Sequence, residues 1–291
     1  MTRDAAAAAS ALAPVAIVCG QGEFPLRAAE SAARHGRDVM MIGIRGVASP
    51  RIENFPHVWL GLGEIGAFFD TLRQRGVTQI AIAGGMARPA LADMRMDFGG
   101  VKRLPAIAKL FLGGDNHLLS GVIGLIEKEG VSVIGIDAIA PELLAQPGLA
   151  TRSAPAAAAR GDITLGRNFI AAASPFDVGQ AVIVAGGRVL AVEAAEGTDA
   201  MLERVAALRA AGRLRLKGRA GVLIKAPKRG QDLRIDLPAV GPRTIELAAA
   251  AELEGISLAA GKVLVLDQAE LVREADAAGL FLQGHGDAAA A

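Results

Sequence analysis

Three nearly unbroken apolar runs constrain this chain more than any other feature. Residues 14–19 (PVAIVC), 38–44 (DVMMIGI) and 79–85 (QIAIAGG) lack the alternation of a half-exposed strand. Short runs of this kind, bounded by turn residues, read as strands buried on both faces. Helical stretches separate them. One runs from Pro25 to the break at His35 and Gly36, another covers 64–75 and is closed by Gly76. Residues 116–129 add a helix closed by Gly130, and 131–136 (VSVIGI) add a fourth strand. Strand, helix and strand at this spacing imply βαβ units and a mostly parallel sheet.

The second half reads differently. A Gly186-Gly187 pair between two β-rich runs is a hairpin signal. Thr198 is expected to cap a helix over 199–211. Strands follow at 220–227 and 262–266, a helix opens at Pro242, and 268–278 and 280–284 give a last helix and strand. The expected class is α/β, with a second, distinct mixed α/β domain at the C-terminus. The expected boundaries are a disordered tail at 1–13, a first domain at 14–145, a linker at 146–173 and a catalytic domain at 174–285. The linker, expected to hold some short helix, is read from Pro147, Pro155, an Ala run and scattered Arg and Gly.

Composition excludes several functions. The 291 residues carry a formal charge of +1, so no overall field favours nucleic acid. The single cysteine, Cys19, rules out an internal disulfide and a multi-cysteine zinc site, and suits a reducing cytosol. It ends an apolar run and reads as core, as does Trp59. With four histidines in the whole chain, the Asp/His/Asn clusters of a metallophosphoesterase are missing. No apolar run is long enough for a bilayer span and residues 1–13 do not resemble a signal peptide, so the expected location is cytoplasmic.

Five segments are candidates for chemistry. GQGEFP at 20–25 follows the first strand, where glycines admit an anion to the backbone and a helix start offers free N–H groups; a ligand-free tight turn is the alternative. GGMARP at 84–89 repeats the arrangement, with Arg88 either reaching a phosphate or solvated. GGDNH at 113–117 is read as a helix N-cap. Glu193, Glu196, Thr198 and Asp199 lie where a strand runs into a helix; Glu196 and Asp199 would serve a cation or ribose, or simply the helix start. The loop 221–244 (GVLIKAPKRGQDLRIDLPAVGPRT) is the most unusual. It mixes Lys225, Lys228, Arg229 and Arg234 with Asp232 and Asp236 between prolines. A diphosphate with Mg²⁺ needs that mixture, cations for phosphate oxygens and one or two carboxylates for the metal. Residues 101–114 set Leu104, Ile107, Leu110 and Phe111 beside Lys102, Arg103 and Lys109. A core-facing helix is expected there over one lying on an anionic membrane or lining an acyl groove.

Taken in order, GQGEFP, AGGMARP, AVEAAEGTDAMLERV and the loop 221–244 resemble the LpxI-type UDP-2,3-diacylglucosamine pyrophosphatases, over about residues 15–284. The resemblance implies an N-terminal Rossmann-like domain, a distinct C-terminal domain, a site between them and a homodimer. It implies Mg²⁺-dependent hydrolysis of the diphosphate of UDP-2,3-diacylglucosamine to UMP and 2,3-diacylglucosamine 1-phosphate, a step of lipid A synthesis. The family's catalytic Asp falls on Asp236, which is also the expected metal ligand. Asp199 is the second acidic candidate, and Lys225 and Lys228 are expected on phosphate oxygens. The candidate substrate contacts are Gly20, Gly22, Glu23, Phe24, Gly84, Gly85, Arg88, Glu196, Thr198, Lys228, Arg234 and Thr244, with Gln180 at the head of the run at 180–194. The implied substrate is a UDP-sugar lipid, so peripheral contact with the inner membrane is a further expectation. The alternatives are a nucleotide-sugar binding protein without catalysis, and an NAD(P)-dependent oxidoreductase for which Arg45, after the second strand, would meet a 2′-phosphate.

Overall fold

The computed structural model describes residues 13–87, 90, 94–112 and 115–286. The chain divides into two compact units, Met1–Pro141 and Glu142–Ala291.

The first unit is built on a five-stranded parallel sheet of order β3-β2-β1-β4-β5. Its strands are β1 (Val15–Cys19), β2 (Val39–Ile44), β3 (His57–Leu60), β4 (Gln79–Ala83) and β5 (Ser132–Val133). The helices are α1 (Phe24–Arg34), α2 (Ile65–Gln74), α3 (Phe98–Leu110) and α4 (Asp115–Lys128). The apolar runs form the central strands β1, β2 and β4, as their lack of alternation requires. The fourth expected strand is cut to two residues, because Ile136 starts a 3₁₀ turn. Strand β3 was not expected. It extends the sheet beyond β2, and its Trp59 indole donates to Glu53. Gly43 makes room for it, since a Cβ there would lie 2.7 Å from the Trp59 ring.

Cys19 is wholly buried at the end of β1, and loss of hydration pushes its thiol up to about 12. The thiolate is the reactive form. In native buffer at pH 8 Cys19 is therefore expected to resist a thiol reagent and to label only on denaturation. Labelling of the folded protein at the rate of a free thiol would contradict this placement.

The second unit carries a six-stranded mixed sheet of order β6-β13-β11-β9-β7-β8. Here β9 (Val222–Lys225), β11 (Gly255–Ala259) and β13 (Phe281–His285) run parallel. The hairpin of β7 (Ala181–Ala185) and β8 (Arg188–Val192) and the short β6 (Gly148–Leu149) pair antiparallel at the two edges. One face packs on α5 (Ala157–Ala173) through Ile163, Ile170, Val182 and Ile224. The other packs on α6 (Gly197–Ala210), α7 (Pro242–Ala250) and α8 (Gln268–Ala277) through Met201, Leu223, Ile245 and Leu271. A separate parallel pair joins β10 (Ala239–Val240) to β12 (Leu264–Val265).

The expected linker at 146–173 is corrected. Its glycine and leucine at 148–149 join the sheet, and 157–173 form one helix against it. The Ala run that suggested a connection favours helix, and Pro155 stands just ahead of the helix rather than inside it. The β7–β8 turn has positive φ at Gly186 and Gly187, the geometry of a two-residue hairpin. Asp162 of α5 accepts both of their N–H groups, at 2.9 and 2.7 Å. Asp162→Ala is expected to cost about 1–3 kcal/mol by leaving these donors unmatched, measured by urea denaturation. An unchanged midpoint would refute the anchor.

Candidate active site

The two glycine loops lie side by side in the first unit. Gly20 and Gly84 follow β1 and β4, adjacent strands whose onward connections leave in opposite directions. That reversal is the topological switch point, where open α/β sheets take ligands at strand carboxyl ends. The amide of Gln21 donates to the carbonyl of Gly85 at 2.7 Å. A Cβ on Gly20 would stand 2.5 Å from the Gly85 carbonyl, and one on Gly84 2.5 Å from that of Gln21. These glycines are required by the contact between the loops themselves. Gly22 and Gly85 are exposed. Glu23 sits at the N-cap of α1 and pairs with Arg51. Phe24, expected against substrate, is buried in the core instead. Arg88 lies outside the described residues, as do Gly113 and Gly114. Arg45, on which the oxidoreductase reading rested, is paired with Glu64 at 2.7 Å and donates to the carbonyl of Trp59.

The second unit joins most of the remaining candidates through one hydrogen-bond chain. Lys225, the last residue of β9, is buried and its Nζ donates to Thr198 Oγ1 at 2.6 Å. Thr198 donates to Glu193 Oε1 at 2.7 Å. Glu193 Oε2 accepts the backbone N–H of Gln180 at 2.8 Å, and Gln180 Nε2 reaches Asp236 Oδ2 at 3.4 Å. Gln231 completes the Asp236 environment, giving Nε2 to Oδ2 at 2.6 Å and to the Asp236 carbonyl at 2.7 Å. Gln231 Oε1 in turn accepts the Lys228 N–H. Residues flanking β7 and β8, from α6 and β9 and from the loop after β9 are thus linked in one chain that ends on the Asp236 carboxylate.

Sequence reasoning placed Thr198 as a helix cap, and the structure corrects this. The helix begins two residues earlier than expected, at Gly197, and the hydroxyl is taken by Glu193 and Lys225. Lys225 is likewise drawn inward to Thr198. Burial lowers its pKa, and the charges of Glu193 and Asp199 oppose that shift. Asp199 is exposed in the first turn of α6. Glu196 pairs with Arg204 at 2.9 Å. Arg234 folds back on Asp232, at 2.9 and 2.7 Å, and holds that carboxyl below its usual range. Thr244 is buried in the first turn of α7. Three participants went unrecognised as such: Gln231, Asp177 and the central role of Glu193. Gly179 was a usable signal for the last, since a Cβ there would lie 2.4 Å from the Glu193 side chain.

Burial is the largest influence on Asp236 and raises its pKa. Lys228 and the bonds from Gln180 and Gln231 oppose the rise, and the charge of Asp177 adds to it. Lys228 is itself paired with Asp177. Among the described residues no group of three or more His, Cys, Asp or Glu is placed to hold a metal ion. Mg²⁺ needs only one or two carboxylates and retains several waters. Asp236, with Asp177 close enough to disfavour its ionisation, fits that demand.

Beside Gln231 opens a cavity of about 410 Å³ at the carboxyl ends of β9, β11 and β13. Among the described residues, Arg167 of α5, Lys228, Arg229, Lys262 and His285 line it, with no Asp or Glu. The cavity is therefore suited to an anion, one hydrogen-bonded residue away from Asp236.

Comparison with known proteins agrees with this architecture. The LpxI N-terminal domain model matches residues 14–143, and the LpxI C-terminal domain model matches 146–283. A UDP-2,3-diacylglucosamine pyrophosphatase LpxI from Caulobacter vibrioides is 38% identical over 268 residues, covering 92% of this chain and 96% of the relative. With both domains matched in order and the similarity running nearly end to end, the chain belongs to the LpxI family.

Proposed function

We propose that this protein hydrolyses the diphosphate bond of UDP-2,3-diacylglucosamine, releasing UMP and 2,3-diacylglucosamine 1-phosphate for lipid A synthesis. One juxtaposition carries the reading: a half-buried carboxylate, Asp236, is joined through Gln231 to a cavity whose charged lining, among the described residues, is basic. The name of the Caulobacter relative supports the same substrate.

Hydrolysis of a diphosphate is slowed by the charge that repels an incoming oxygen and by the charge left on the departing phosphate. Asp236 would hold Mg²⁺, with Asp177, whose charge acts on Asp236, as a second carboxylate. When bound, Mg²⁺ would neutralise phosphate oxygens and polarise the phosphorus. The chain's own residues do the rest. Lys228 and Arg229 bind phosphate oxygens from the cavity wall. Gln231 and Gln180 fix the orientation of Asp236, whose carboxylate aligns the attacking water. Lys225, Thr198 and Glu193 are positioning residues: they anchor the backbone of Gln180, from which its side chain reaches Asp236.

The test is incubation with UDP-2,3-diacylglucosamine and chromatography for UMP. UMP is expected with Mg²⁺, is absent with EDTA, and returns when excess Mg²⁺ is added. Substrate bound but never hydrolysed would make this a carrier or sensor and overturn the proposal.

A further inference from the structure

Among the described residues, large exposed apolar side chains gather in one stretch of the first unit: Met86, Phe98, Val101, Leu104 and Leu112, with Phe176 alone elsewhere. Four of them lie on or just after α3. This helix was expected to face the core, yet only Gly100 and Ile107 are buried along it. Phe98 and Leu112 are 87% and 86% exposed, and Val101 is 55% exposed. At 100° per residue, Phe98 and Val101 fall within about 60° of each other, opposite Gly100 and Ile107, and Leu112 follows just past the helix end. Lys102 and Lys109 are exposed on the same side.

The charged side chains of α3 itself, Lys102, Arg103 and Lys109, have one sign. Across residues 94–112 the acidic side chain is Asp97, and it is occupied. It accepts the N–H groups of Gly66 and Ala67 at the start of α2 and of Gly100 in α3. Arg103 is drawn away to Glu129 and the ring of Phe69. What faces solvent is an apolar strip carrying Lys102 and Lys109, with Arg95 exposed just ahead of the helix. No described helix is long and apolar enough to cross a membrane. An apolar helix face with interleaved lysines is instead the pattern that settles in the headgroup layer, where aromatic and aliphatic side chains enter the acyl boundary and the ammonium groups meet lipid phosphates.

We infer that α3 docks the first unit onto an anionic lipid bilayer through Phe98, Val101, Leu104 and Leu112, with Lys102 and Lys109 pairing to lipid headgroups. The inference does not depend on the proposed hydrolysis and is read without an activity assay.

The full-length protein is sedimented with phosphatidylglycerol-containing vesicles and with pure phosphatidylcholine vesicles. Binding is expected to the first, weakened by salt. Phe98→Ser with Leu112→Ser should weaken it on the order of tenfold. Lys102→Glu with Lys109→Glu should weaken it about thirtyfold or more. Because all four side chains are exposed, both variants should melt with the wild type. If the serine pair disturbs the fold, the lysine pair alone decides. Wild-type protein that stays in the supernatant, or binds both vesicles equally, overturns the inference. So do folded variants that bind as the wild type does. If the serine pair lowers the molar mass by light scattering while vesicle binding persists, the face joins two copies of this chain and the inference fails.

Discussion

Asp236→Asn is expected to lower kcat about a thousandfold, the scale of losing a metal-binding or proton-handling carboxylate, with KM kept within about threefold. The exchange is nearly isosteric and the Gln231 and Gln180 donors remain in place, so the loss is one of charge. A neutral side chain cannot retain a divalent cation or align water toward phosphorus. Stability should move the other way. Burial raises the Asp236 pKa above that of the unfolded chain, so the folded state holds this proton more tightly. The ionised carboxylate therefore opposes folding above the raised pKa, and that penalty vanishes below the unfolded value. The variant should melt at or slightly above the wild type. A marked fall in melting temperature would make Asp236 a structural residue.

The second large effect is on stability. Lys225→Met is expected to cost about 3 kcal/mol, because removing one charge from a buried set leaves the other uncompensated. Lys225 and Glu193 are both buried and meet through the Thr198 hydroxyl. Without the ammonium, Glu193 stays among Thr198 and the Gln180 amide with no cation, and Thr198 loses the donor it accepts from. Glu193→Gln combined with Lys225→Met should recover at least about 1 kcal/mol of the summed single losses. Strict additivity in urea denaturation would mean that the two residues do not share a network. Turnover should fall in both single variants as well, since the Gln180 backbone is anchored on Glu193.

The central strands were readable because parallel strands buried on both faces need unbroken apolar runs, as β1, β2 and β4 show. Strand β3 was not, because HVWL mixes His and Trp and lies at the sheet edge, where burial is incomplete. The length of helix α5, where only short helix is expected, was hidden by Pro147 and Pro155, which punctuate the chain ahead of it. The wet face of α3 was misjudged because its apolar residues outnumber its bases, and composition alone does not tell which side a helix turns to solvent. Of the site, Asp236, Gln180, Lys225 and Thr198 stood in motifs. Their connection did not, since Gln180 and Asp236 are 56 residues apart and meet only because the loop after β9 folds back onto the start of β7. Gln231 lies five residues from Asp236, but no local pattern announces a glutamine that binds both a side chain and its own backbone. The cavity escaped for the same reason: Arg167, Lys262 and His285 sit in three unrelated segments.

The most direct measurement is a single turnover, with enzyme in excess over UDP-2,3-diacylglucosamine in Mg²⁺. Wild-type protein should convert all of the substrate to UMP. Folded Asp236→Asn should hold it intact and bound over the same interval. Full UMP release by the folded variant at the wild-type rate would remove Asp236 from the reaction and, with it, the site built around it.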